Sequence, residues 1–121
     1  MKFIDSNIII YAYSVASHKT QLEGKLKAES KRILASIDAG KEEAATSVVH
    51  LSEVANVLGK RGNPREVAGV VHTLCAKLRV LSVTQEDYIV ASDEVSKRGV
   101  EINDCLAYVL MQKHGIKEIY S

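Results

Sequence analysis

The stretch Lys2-Phe3-Ile4-Asp5-Ser6-Asn7-Ile8-Ile9-Ile10-Tyr11 carries two apolar runs with a carboxylate between them. Residues 2–5 have the length and composition of a buried strand, and Ser6-Asn7 turn the chain into the second run. A strand that ends on an acid sets that acid at the carboxyl edge of its sheet. Short apolar runs of strand length recur at 44–47, 80–83 and 117–121, and the segments between them have helical periodicity. Residues 25–39 place Leu26, Ile33, Leu34 and Ile37 on one face and stop at Gly40. Ser47 is the expected cap of a helix reaching about Leu58, and Pro64 opens another with the stripe Val67, Val70, Val71, Leu74 and Leu78. Helices over 85–98 and 103–114 end at Gly99 and Gly115. Strands alternating with crossover helices predict an α/β fold, a parallel sheet covered on both faces. Ligands of such sheets gather at the carboxyl ends of the strands.

The 121 residues, 46% of them hydrophobic, suit a single domain over 1–121 that buries roughly two-thirds of its unfolded surface without a disulfide or metal staple. Sixteen Lys and Arg against fifteen Asp and Glu give a net charge of +1, so an acidic partner must be met by a local patch rather than by the field of the whole molecule. No apolar run reaches the roughly 18 residues that span a bilayer, and Asp5 interrupts the opening run where a secretory leader would stay apolar. A cytoplasmic protein without a membrane partner is expected. Cys75 and Cys105 lack paired spacing and are expected to be buried thiols.

Three acids stand out. Asp5 follows the first strand, and its simplest role is to cap the next helix. Glu53 stacks with Val49 and Val57 one turn to either side, away from the Val48, Leu51, Ala55 and Leu58 stripe expected to face the core. A glutamate framed by valines either points into a cleft or is exposed by chance. Asp104 lies in the first turn of the last helix, where an acid suits the helix dipole. Each has an adequate structural role alone, but a parallel sheet can bring all three to one edge. Carboxylates so placed raise one another's pKa unless a cation joins them. An all-oxygen donor set favours Mg²⁺ or Mn²⁺ over Zn²⁺, and such an ion with a coordinated water suits phosphodiester hydrolysis.

Asp5-Ser6-Asn7 after the first strand, Ser47-Val48-Val49-His50-Leu51-Ser52-Glu53, and Asn103-Asp104-Cys105-Leu106-Ala107-Tyr108 before a short final strand together resemble the PIN domain family across nearly the whole chain. The resemblance implies a three-layer α/β/α sandwich with a central parallel sheet in the strand order 3-2-1-4. Many members are small metal-dependent ribonucleases, including the VapC-type toxins of prokaryotic toxin–antitoxin pairs. By that likeness Asp5, Glu53 and Asp104 are the catalytic acids and ligands of Mg²⁺ or Mn²⁺, with Ser6, Asn7 and Ser47 supporting them. RNA is the implied substrate, an antitoxin the implied protein partner, and a homodimer the implied assembly. The family carries a further aspartate after the strand corresponding to Ile119-Tyr120-Ser121, and a fifth strand, whereas this sequence stops at Ser121. Either the C-terminal end is truncated, or the fourth acid is missing. The second case favours a non-catalytic PIN-like module that binds RNA or protein.

Lys60, Arg61 and Arg65 cluster around a turn and are candidates for contact with an RNA backbone. His50 precedes Glu53 by three residues but no further nitrogen ligand accompanies it, so a structural or supporting role is expected. His18, His72 and His114 have no partner pattern. With no Trp and one Phe, stacking on bases falls to the five tyrosines.

Overall fold

Phe3 and Ile4 are consecutive and fully buried, yet they belong to two separate core clusters, because side chains alternate across a strand. This alternation builds the molecule in three layers. The computed structural model describes residues 1–14 and 20–121, so His18 lies outside the described residues. Its strands β1 (Lys2–Ile4), β2 (Ala44–Ser47), β3 (Arg79–Leu81) and β4 (Glu118–Tyr120) form a parallel sheet in the order β3-β2-β1-β4. Phe3 pairs in register with Ala45 on one side and Ile119 on the other. The amide of Asp5 extends the ladder by donating to the Tyr120 carbonyl at 3.0 Å.

On the Ile4 face lie α1 (Ser6–Tyr13), α2 (Gln21–Asp38), α3 (Val48–Gly59) and α4 (Pro64–Lys77), contributing Ile8, Ile9, Ile33, Ile37, Leu51, Val54 and Leu74 to the core. On the Phe3 face lie α5 (Gln85–Arg98) and α6 (Ile102–His114), contributing Ala91, Cys105, Leu106, Ala107, Leu110 and Met111. The parallel sheet between helical layers is therefore the expected α/β/α arrangement, in the expected strand order. Among the described residues, no helix is long and apolar enough to cross a membrane.

Some local expectations shift. Helix α2 starts at Gln21 rather than Lys25, because the Thr20 hydroxyl caps it by accepting from the Glu23 amide at 3.1 Å. The buried face of α3 is His50, Leu51 and Val54, while Val48 is 48% exposed. The helix is rotated so that a polar ring faces inward, which its hydrogen bonds, described below, make tolerable. Cys105 is buried as expected, but Cys75 sits on the exposed side of α4. Strand β3 ends at Leu81, and Thr84 then caps α5.

That cap yields a stability prediction. The Thr84 hydroxyl accepts from the Asp87 amide at 3.1 Å, and the Asp87 carboxylate accepts from the Thr84 amide at 3.0 Å, a reciprocal capping box. Lys113 of α6 also donates to both Asp87 oxygens at 3.2 Å, so one carboxylate fastens α5 to α6. The Thr84 amide first, and the Lys113 ammonium beside it, hold the Asp87 carboxyl below the usual aspartate range. A carboxyl with a lowered folded-state pKa binds fewer protons folded than unfolded. Its contribution is present above the ordinary value of about 4 and fades as pH falls through the lowered one. Asp87→Ala is expected to cost about 1–2 kcal/mol at pH 7, with the gap to wild type narrowing below about pH 4. Urea unfolding at pH 7 and pH 3 measures both effects.

Candidate active site

The parallel topology sets three chain segments over one edge. Asp5 follows β1 directly, and α3 begins where β2 ends. Because α6 runs back across the sheet to feed β4, which is parallel to β1, its first turn also lies over the carboxyl edge. Asp5, Glu53 and Asp104 stand on these three segments. Their placement shows in the bonds between the segments: Ser6, next to Asp5, and Asn103, next to Asp104, both donate to Glu53, and in keeping with this both Asp104 and Glu53 push the Asp5 carboxyl upward.

Asp5 is 6% exposed. Burial is the largest influence and pushes its carboxyl above the usual range, and the two neighbouring carboxylates reinforce it. Although Asp5 occupies the N-cap position of α1, its side chain makes no capping bond, and only its carbonyl accepts from the Ile8 amide at 3.2 Å. The simplest structural role for this acid is therefore not the one it plays. Likewise, Asp104 is exposed in the first turn of α6, whose N-cap, Glu101, makes no side-chain capping bond. Among the described residues, no lysine or arginine pairs with Asp5, Glu53 or Asp104; the nearest base is the His50 ring, with Nε2 4.0 Å from Asp5 Oδ1.

Glu53 is held from two sides. Ser6 Oγ donates to Oε1, and Asn103 Nδ2 donates to Oε2 at 3.2 Å. Ser6 thus connects α1 to α3, and Asn103 connects α6 to α3. Tyr88 of α5 joins this set, its hydroxyl donating to Asn103 Oδ1 at 3.4 Å.

Behind the acids, His50 is fully buried and packs edge-on to Phe3, ring centroids 5.1 Å apart. Ser47 Oγ accepts from the His50 amide at 3.1 Å while capping α3, so its hydroxyl proton is free to donate to His50 Nδ1, 2.6 Å away. That assignment leaves the proton of the neutral ring on Nε2, which donates to the Asn103 carbonyl at 3.1 Å. Burial pushes the His50 imidazole below its usual pKa, in keeping with a neutral ring. His50 thereby ties the start of α3 to the start of α6, the two helices that carry Glu53 and Asp104.

Of the residues expected to support the acids, Ser6 and Ser47 engage as described. Asn7 is exposed on the first turn of α1 and, among the described residues, makes no side-chain hydrogen bond. Lys60, at the end of α3, lines a groove shared with Glu53, while Arg61 lines a different cavity beside Tyr13 and Arg65 stands in the first turn of α4. Sequence reasoning did not select Asn103 and Tyr88, and nothing in the spacing of Tyr88 signals its reach to α6. Among the described residues, no group of three or more His, Cys, Asp and Glu side chains is closed up to hold a metal ion. Glu53 is instead turned into its bonds with Ser6 and Asn103.

A family model described as the PIN domain matches residues 2–121. Among solved structures, VapC20 of Mycobacterium tuberculosis, described as a Sarcin-Ricin loop cleaving toxin, is 20% identical, with a TM-score of 0.77 over 100% of this chain and 88% of its own. A toxin–antitoxin complex from Klebsiella pneumoniae contains a chain that is 16% identical, with a TM-score of 0.66 over 99% of this chain and 85% of its own. Both likenesses are of fold. No curated protein matches the sequence.

Proposed function

Because the chain belongs to the PIN domain family, we propose that it is a metal-dependent ribonuclease of the VapC kind, with Asp5, Glu53 and Asp104 as the acids that hold Mg²⁺ or Mn²⁺. The observation that supports this reading is that three carboxylates, none paired with a lysine or arginine among the described residues, stand at the carboxyl edge of a parallel sheet on segments that Ser6 and Asn103 link through Glu53. Their donors are all oxygen, which suits a hard divalent cation. Asp5 and Asp104 would hold the ion. Glu53, fixed by Ser6 and Asn103, would join them directly or through water. Such an ion supplies charge opposite the phosphate and acidifies a coordinated water.

The protein's own contribution is placement. Asp5 presents a buried carboxylate whose charge is costly unless a cation meets it. His50 stays neutral and keeps α3 and α6 in fixed relation, so that Glu53 and Asp104 face one RNA phosphate. The solved neighbours support RNA as the substrate, since one is described as cleaving the Sarcin-Ricin loop, and an antitoxin as a protein partner, since another is a toxin–antitoxin complex. A homodimer acting in the cytoplasm completes the proposal, as does contact between the RNA backbone and the basic turn at Lys60, Arg61 and Arg65.

Incubation with mixed structured and single-stranded RNAs in Mg²⁺, Mn²⁺ or EDTA tests the reading. Cleavage is expected with either metal and is lost in EDTA. Cleavage undiminished by EDTA overturns the metal site, and binding without cleavage under every condition favours a non-catalytic PIN-like module.

A further inference from the structure

A groove of about 510 Å³ opens directly beside Glu53, between α3, α5 and the start of α6. Its volume falls within the few hundred to about a thousand Å³ typical of small-ligand sites. Its lining mixes three chemistries. Val48, Val57 and Tyr88 are 48%, 37% and 36% exposed, so apolar and aromatic residues meet solvent next to a carboxylate. Ser52 and Asn56 add a hydroxyl and an amide on the solvent side of α3, and Lys60 closes the end with a cation. Tyr88 reaches Glu53 through one intermediary, its hydroxyl on Asn103 Oδ1 and Asn103 Nδ2 on Glu53 Oε2. The ring is thus a single side chain removed from the acidic edge.

An aromatic face beside hydroxyl and amide groups, with a cation at one end, matches a nucleotide: a base to stack, an edge to hydrogen-bond and a phosphate to neutralise. We propose that this groove binds one unpaired base of a single-stranded RNA, the base next to the phosphate at the acidic edge. Tyr88 is its stacking surface, Asn56 and Ser52 meet its edge, and Lys60 meets its phosphate. This rests on the ribonuclease reading and adds to it the residues of this chain that hold the base beside the cleaved phosphate. A stacked pair with an exposed tyrosine tolerates any base, so selectivity at this position falls to Asn56 and Ser52.

The absence of tryptophan from the sequence makes the test direct. Tyr88→Trp places a single indole in the groove, and Tyr108→Trp places one on exposed α6 surface, where Arg98 lies over the native ring at 4.4 Å. Each variant is titrated in EDTA with uridylate and adenylate hexamers and with an abasic hexamer of equal charge. Saturable quenching of Tyr88→Trp by the base-bearing hexamers alone, with Tyr108→Trp unaffected, is the expected result. Equal quenching at both positions, equal quenching by the abasic strand, or no quenching overturns the subsite.

Wild-type cleavage in Mg²⁺ is measured alongside. There, Tyr88→Ala is expected to raise KM about tenfold, a larger rise than Tyr88→Phe, which keeps the ring and loses only the hydroxyl on Asn103. No quenching together with Asp5-dependent cleavage removes the subsite alone. Quenching without cleavage removes the nuclease reading and leaves a base-binding groove.

Discussion

Asp5→Asn is expected to lower metal-dependent RNA cleavage by about 10³-fold, while the protein in EDTA melts a few degrees higher than wild type. Both effects come from one fact, the burial of Asp5 against two other carboxylates. In the metal-free protein its charge is desolvated and repelled, so the neutral, near-isosteric amide relieves a cost. In the loaded protein the same charge is the attraction that holds the ion, and the amide discards it. An opposite sign for stability and activity separates this account from a structural role, in which both would fall together. The readouts are initial rates in saturating Mg²⁺ and thermal midpoints in EDTA. Undiminished cleavage by Asp5→Asn removes Asp5 from the chemistry, and a lowered midpoint removes the electrostatic account of its environment.

The second large effect is expected at His50. His50→Ala deletes a fully buried ring, its edge contact with Phe3, and hydrogen bonds that tie Ser47 to the Asn103 carbonyl. Cavity formation and loss of two buried partners together cost about 3 kcal/mol, a large share of the 5–15 kcal/mol of a typical domain. The start of α6 loses its attachment to α3, so cleavage falls as well, although His50 touches no substrate. Urea unfolding gives the first quantity and initial rates the second. A loss below about 1 kcal/mol would show that the ring does not brace the two helices.

The fold was legible because apolar runs of strand length alternate with helical stripes, and the strand order followed from the family resemblance. The acids were legible as positions: a carboxylate closing β1, one framed by Val49 and Val57, and one in the first turn of α6. What the sequence withheld is what the carboxylates do not do. Only the structure shows that Asp5 leaves its capping site unused, and that no lysine or arginine among the described residues neutralises the three. His50 takes the structural role expected of it, but its partners were not legible, because they are a backbone carbonyl 53 positions away and a hydroxyl already serving as a cap. Val48 was placed in the core because it fits the stripe, but the inward turn of His50 rotates it outward. Cys75 sits on the exposed side of α4, which sparse patterning did not reveal.

The central claim is that a divalent cation binds where Asp5, Glu53 and Asp104 meet, and paramagnetic Mn²⁺ locates it most directly. Substoichiometric Mn²⁺ is titrated into ¹⁵N-labelled protein while amide signals are followed for broadening. The account predicts that residues 4–7, 50–54 and 102–106 broaden first, and that Asp5→Asn with Asp104→Asn abolishes this. Broadening that begins instead at the surface acids Asp38, Glu42 or Glu118, or that persists unchanged in the double variant, would contradict it.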